Sequence, residues 1–160
     1  MIIKLARIDD RLIHGQVATA WSRVSDVSRI IVVSDQVAGD KVRVMLLKQV
    51  APSGITVSVV DVAKAKRVYD NPKYQNDKVM LLFTNPTDVL RVVELGVNID
   101  SVNIGGMSYQ DGKKQITKAI SVDQEDIDSF EKLHNLGLEL EIRPVPDDRK
   151  KDLIKILKEN

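Results

Sequence analysis

Short runs of β-branched residues alternate with stretches of helical period along the whole chain. Residues 2–8 read as a first strand. Residues 16–24 read as a helix, because Val17, Ala20, Trp21 and Val24 recur on one face. Residues 29–34 form a continuous apolar run, the mark of a strand buried on both faces. Residues 40–51 are helical in pattern, with Val42, Met45, Leu46 and Val50 in register. A third strand is expected over 56–60 and a helix over 62–69. A fourth strand follows over 78–84. Asn85-Pro86 then opens a helix, since proline suits the first helical position, and Gly96 ends it. Residues 101–104 form a fifth strand running into Gly105-Gly106. Residues 115–122 alternate weakly, as one short extra strand would. Residues 123–136 make a helix with Ile127, Phe130, Leu133 and Leu136 on one face. A last strand at 138–142 and a closing helix at 147–159 complete the chain.

This alternation predicts an α/β fold: one open, mainly parallel, doubly wound sheet with helices on both faces. No repeat, low-complexity tract or linker divides it, so residues 1–160 read as one domain. Parallel strands joined by right-handed crossovers end on one common rim, and ligands bind outside that rim where the strand order reverses. The rim collects Asp9, Asp10, Arg11 and His14 after the first strand. It also collects Ser34 and Asp35, Asp61, Thr84 and Asn85, and Gly105 and Gly106.

Composition narrows the classes. The chain has 160 residues, 24 basic and 23 acidic, for a formal charge of +1. So balanced a charge argues against nucleic acid as a partner. With no cysteine, disulfides and thiolate chemistry are excluded. No apolar run approaches the ~18–20 residues of a membrane span, and residues 1–4 lack a signal-peptide layout. A cytoplasmic setting is expected, with any membrane role exercised through partners.

The chemistry concentrates in Asp10-Arg11-Leu12-Ile13-His14-Gly15-Gln16. An imidazole attacks phosphorus well, and the phosphoramidate formed keeps a high transfer potential. Arg11 offers planar, forked donors to a phosphoryl group. Gly15 lets backbone N–H groups approach, and the following helix directs its positive end to the same place. Asp9 or Asp10 would fix Arg11 or hold the imidazole tautomer. Paired glycines at 105 and 106 would admit a phosphate or a partner, or merely form a turn. Thr84 and Ser34 would donate to phosphate or cap helices. His134 reads as a helix-end histidine, and Trp21 as a core residue. Arg149-Lys150-Lys151 reads as a solvated face of the last helix, or as a docking surface. Nothing here calls for a metal or cofactor.

The segment from Arg7 to Val17, with Trp21 behind it, resembles the active-site segment of the IIB components of the mannose/fructose/sorbose family of bacterial sugar phosphotransferase systems. The resemblance continues through Asn103-Ile104-Gly105-Gly106-Met107, Gly112-Lys113-Lys114-Gln115-Ile116, Ser121-Val122-Asp123 and Pro144-Val145-Pro146. It implies a phosphocarrier that takes a phosphoryl group from a phosphohistidine of a IIA partner. The group then goes to a sugar carried by the IIC and IID membrane components. The family's phosphorylated histidine falls on His14 and its motif arginine on Arg11. Asp10, Gly15 and Gln16 match motif positions implied to shape the loop or contact phosphate.

A two-component receiver domain is the rival reading. It needs an acidic pair after the first strand, an aspartate after the third and a threonine after the fourth, here Asp9-Asp10, Asp61 and Thr84. It also wants a lysine after the fifth strand, where this chain has Gly105-Gly106, and it leaves His14-Gly15 unexplained. A non-catalytic anion-binding module is a third reading. Nucleotide binding is weaker still, since no glycine-rich phosphate loop follows the first strand.

Overall fold

In the computed structural model the predicted alternation becomes a seven-stranded sheet of order β3-β2-β4-β1-β5-β8-β9. The structure describes residues 1–160 apart from the side chain of Gln16. The strands are β1 (Ile2–Asp9), β2 (Arg29–Val33), β3 (Thr56–Val60), β4 (Lys78–Phe83), β5 (Ser101–Gly106), β8 (Glu139–Ile142) and β9 (Lys151–Asp152). All pair in parallel except β9, which runs antiparallel to β8. A separate hairpin joins β6 (Lys114–Thr117) to β7 (Ile120–Val122).

The helices divide between the two faces. On one face lie α1 (Gly15–Ser25), α2 (Asp35–Ala38) and α3 (Lys41–Gln49). Trp21, Ala18, Val37 and Leu47 of these helices pack there with Ile30, Val32, Met80 and Leu82 of the sheet. On the other face lie α4 (Val62–Asp70), α5 (Pro86–Glu94), α6 (Gln124–Asn135) and α7 (Leu153–Lys158). Val62, Val89, Phe130 and Leu133 pack there with Ile31, Leu81, Phe83 and Ile104. Strand side chains alternate between these cores, which is why β2 and β4 are apolar after their first residues, Arg29 and Lys78. The fold class follows the sequence.

Several elements differ. Residues 115–122 form the two strands β6 and β7 instead of one. The closing segment is helical only from Leu153, because Lys151–Asp152 pair with the edge of β8 and Asp152 caps α7 through the N–H groups of Ile154 and Lys155. Arg149 and Lys150 therefore stand ahead of that helix. The short helix α2 falls where no helix is expected; Ser34 caps it by accepting the Val37 N–H. Val42, Met45, Leu46 and Val50 face solvent, and Leu47 is the buried residue of α3. That helix is apolar on more than one side, so its period does not fix which side turns inward. Val24 and Leu136, each at a helix end, are also exposed.

Caps account for most helix starts. Asp40, Asp61, Asn85 and Asp123 each accept a backbone N–H of the first turn, which a helix cannot satisfy by itself. Asp35 makes a longer link: it accepts the Val62 N–H at 2.9 Å and faces Arg91 at 2.9 Å, joining α2 to α4 and α5. The Val62 N–H, with Arg91 adding to it, holds the Asp35 carboxyl below its ordinary value. A lowered folded-state value means that this stabilisation is complete above the ordinary aspartate range and is lost as pH falls through the folded value. Asp35→Asn should thus be less stable than the wild type at neutral pH. The difference should shrink below about pH 4. Urea denaturation at pH 7 and at pH 3 checks this; a constant difference would remove Asp35 from the account.

Candidate functional site

The site lies on the C-terminal rim between β1 and β5. The connection after β1 leaves toward one face of the sheet and the connection after β5 toward the other, so a crevice opens there. The pairing slips at this point: Ile8 pairs with Ile104, but Asp9 pairs with Gly106, leaving Gly105 as an extra residue. Such a bulge re-aims the side chains beside it.

Residues 10–14 make a tight loop into α1. Leu12 lies at φ +61, left-handed backbone that costs a bulky residue ~1–2 kcal/mol. Its side chain is only 3% exposed and packs with Ile13 against the α1 core, and burial of a leucine is worth ~1.5–3 kcal/mol. Burial therefore outweighs the strain, and the Leu12 N–H reaches the Asp9 carbonyl at 2.9 Å to close the turn. Gly15 lies at φ +49 with open space around its missing side chain, so the position needs glycine for conformation and not for room. His14 is the N-cap residue of α1 and makes no side-chain cap bond. Its imidazole stands at the positive end of an 11-residue helix and remains available for other contacts.

That imidazole meets Asp9. His14 Nε2–H donates to Asp9 Oδ2 at 3.0 Å. The same oxygen accepts Arg7 Nη2 at 3.0 Å, and Asp9 Oδ1 accepts the Arg11 backbone N–H at 3.2 Å. Asp9 is fully buried, whereas the His14 side chain is 24% exposed. Since the carboxylate only accepts here, it fixes the neutral ring as the Nε2–H tautomer and leaves the lone pair on Nδ1.

Arg7 anchors the carboxylate from below and is only 3% exposed. Its guanidinium also donates to Asn103 Oδ1, to the Arg143 carbonyl at 3.3 Å and to the Pro144 carbonyl at 3.0 Å. Burial holds the Arg7 guanidinium below its ordinary value, and the Asp9 carboxylate offsets this only in part. Trp21 has the Arg7 guanidinium 5.1 Å from its ring centroid and that of Arg143 also at 5.1 Å, and its Nε1–H reaches the Pro144 carbonyl at 3.0 Å. Trp21 is core, as expected, and it also ties α1 to residues 143–144.

The expected site residues separate accordingly. Arg11 is 59% exposed, with its Nε 3.6 Å from Asp9 Oδ1, so its guanidinium reaches solvent beside His14. Asp10 contacts neither His14 nor Arg11: its carboxylate accepts the Ser108 N–H at 2.7 Å and the Ser108 hydroxyl at 2.9 Å, tying the loop to the segment after β5. Gln16 opens α1 in sequence, and its side chain lies outside the described residues. Gly105 and Gly106 are not a turn. They belong to β5, and a Cβ on Gly105 would overlap the Arg7 guanidinium, while one on Gly106 would lie 3.1 Å from Asp9 Oδ1. Ser34 and Asn85 cap helices, and Thr84 accepts from Asn85. His134 sits in the last turn of α6, which leads back to the start of β8 and so to the opposite rim. Asp61 caps α4, and β2 and β4 separate β3 from β1. At ~4.8 Å per strand, Asp61 cannot join Asp9-Asp10 in a receiver's acidic pocket. Among the described residues no group of three or more His, Asp or Glu side chains could hold a metal ion.

Sequence reasoning missed Arg7, Asn103 and Glu141. The three form one cross-strand row over β1, β5 and β8, and Asn103 Nδ2 donates to Glu141 Oε1 at 3.5 Å. All three are buried; Arg7 and Asn103 each interrupt an apolar stretch of their strand, the signal that could have found them, whereas Glu141 falls in the ordinary alternation of β8. Gly105→Ala should press on Arg7, which has no room to retreat, and cost ~1–3 kcal/mol in urea denaturation. Gly106→Ala should cost less. Equal and negligible effects would contradict the packing described.

Comparison with known proteins agrees in fold and in sequence. Residues 3–160 match the family described as the PTS system sorbose subfamily IIB component. The chain is 61% identical over 157 residues to the mannose-specific EIIAB component of Escherichia coli strain K12, covering 98% of this chain and 49% of that protein. It thus spans about half the length of that relative. It is 53% identical over 154 residues to the sorbose-specific EIIB component of Lacticaseibacillus casei, covering 96% of this chain and 94% of the relative. The crystal structure of the IIBSor domain of the Klebsiella pneumoniae sorbose permease superposes with a TM-score of 0.98 at 51% identity, over 100% of this chain and 98% of that one. The chain belongs to the sorbose subfamily of IIB components of the sugar phosphotransferase system.

Proposed function

We propose that this chain, as one domain of residues 1–160, is a phosphocarrier that holds the phosphoryl group on His14 Nδ1. The observation that carries the reading is the 3.0 Å bond from His14 Nε2–H to buried Asp9 at the start of α1. With Nε2 occupied, Nδ1 is the nucleophile. Its lone pair forms the new N–P bond, while the N–P bond of the donor phosphohistidine breaks and its electron pair returns to the donor ring. The product ring keeps its Nε2–H and carries positive charge, which faces the Asp9 carboxylate. That positive ring is a good leaving group for the next step, transfer to a sugar hydroxyl. Arg11 and the first amides of α1 neutralise the transferring oxygens.

The donor in this reading is a IIA phosphohistidine, supported by the EIIAB designation of the E. coli relative. The acceptor is a sugar passing through IIC and IID membrane components. In this reading the chain acts from the cytoplasm and meets the membrane through them. Among the described residues no helix is long and apolar enough to cross a membrane.

Incubation with a phosphorylated IIA protein should label the wild type with an acid-labile, alkali-stable phosphoryl group. His14→Ala should take no label. Arg11→Ala should fold normally by circular dichroism and transfer about 100-fold more slowly. Alkali-labile label retained in His14→Ala would sink the reading, and an unchanged rate in Arg11→Ala would remove that arginine from it.

A further inference from the structure

Two segments that carry the family resemblance, residues 112–116 and 144–146, take no part in the chemistry assigned to His14. One residue of each, Gln115 and Pro144, lines an open cleft of ≈ 700 Å³ that Arg11 also lines. The β6–β7 hairpin forms one side and is held to the end of β5 by the Met107 N–H on the Ala119 carbonyl and the Ser121 N–H on the Met107 carbonyl. The stretch between β8 and α7 forms another side.

The cleft is cationic although the whole chain is nearly neutral, at +1. Lys118 enters from the hairpin turn, and Arg149 and Lys151 from the stretch before α7. All three are exposed. Asp148 is the one acid among the described lining residues, and its carboxylate already accepts the Val145 N–H at 3.2 Å. The cleft is also fixed relative to His14. Arg7 donates both to Asp9 and to the Pro144 carbonyl, and Trp21 of α1 donates to that same carbonyl.

We propose that this cleft seats an acidic segment of the protein that delivers the phosphoryl group to His14. The inference rests on the phosphocarrier reading and adds where its donor docks. A transferring phosphoryl group needs Arg11 and the start of α1; it has no use for Lys118, Arg149 and Lys151. Three cations from two separate segments, on exposed side chains along an open cleft, suit an extended acidic stretch of chain. Such a surface raises the association rate and sets orientation, both of which fall as salt rises.

The test compares the wild type with a Lys118→Glu, Arg149→Glu, Lys151→Glu triple variant. Phosphoryl transfer is measured from a phosphorylated IIA protein over a range of donor and salt concentrations. Phosphoramidate, a small donor that needs no docking, is run in parallel. The variant should raise KM for the protein donor at least about tenfold, keep kcat within about twofold and lose most of the salt dependence. Its rate with phosphoramidate should match the wild type. If the triple variant does not fold, Arg149→Gln and Lys118→Gln singly should each raise KM about threefold. Unchanged KM and salt dependence would overturn the proposal. So would an equal loss with both donors, which would place these cations at His14 itself. Competition of inorganic phosphate or a hexose phosphate with the protein donor in the wild type alone would also overturn it, in favour of a small-anion site. A wild type labelled by neither donor would instead defeat the phosphocarrier reading.

Discussion

Asp9 is fully buried, and its carboxylate is shared between a guanidinium beneath it and an imidazole above it. Leaving a buried charge unpaired costs ~3–5 kcal/mol, so Arg7 is as necessary to Asp9 as Asp9 is to His14. The rest of the rim follows from this contact. Gly105 must lack a side chain because Arg7 lies over it. Asn103 and the carbonyls of Arg143 and Pro144 satisfy the remaining Arg7 donors. The bulge at the end of β5 sets Gly106 opposite Asp9. The apolar pair Leu12-Ile13 then pins the loop so that the imidazole at the head of α1 reaches the carboxylate.

The division of labour suits a group that is held only in transit. In the proposed phosphocarrier, buried residues fix the tautomer and orientation of the ring, and exposed ones are left to meet the phosphoryl group and the partners. Positioning of this kind lowers the entropic part of a transfer barrier before the partner arrives. Arg11, at 59% exposed, belongs to the second set, and Arg7, at 3%, to the first. Two arginines four residues apart in one segment thus do unlike work, decided by burial alone.

How much of this could be read in the sequence depends on how far each feature is local. The β2 and β4 runs are apolar because both faces are covered, and a one-dimensional pattern shows that directly. His14 and Arg11 are visible as a charged loop between a strand and a helix. The row Arg7, Asn103 and Glu141 spans strands more than thirty residues apart in sequence, and only the strand order brings it together. The choice between Asp9 and Asp10 as partner of His14 also depended on three dimensions: the Asp10 carboxylate is taken by Ser108. For α3 the pattern misled, since apolar residues on several sides leave the inward face undetermined until Leu47 is seen buried. The closing segment misled for another reason: two residues gained pairing with the edge of β8 that no helical period can anticipate.

In the proposed mechanism Asp9 selects the nitrogen of His14 that reacts. Nitrogen-15 NMR of the His14 ring, taken before and after phosphorylation, addresses it most directly. The free protein should show the Nε2–H tautomer and the product a phosphoryl group on Nδ1, with Asp9→Asn mixing the tautomers. A free ring protonated at Nδ1, or a phosphoryl group found on Nε2, would contradict it.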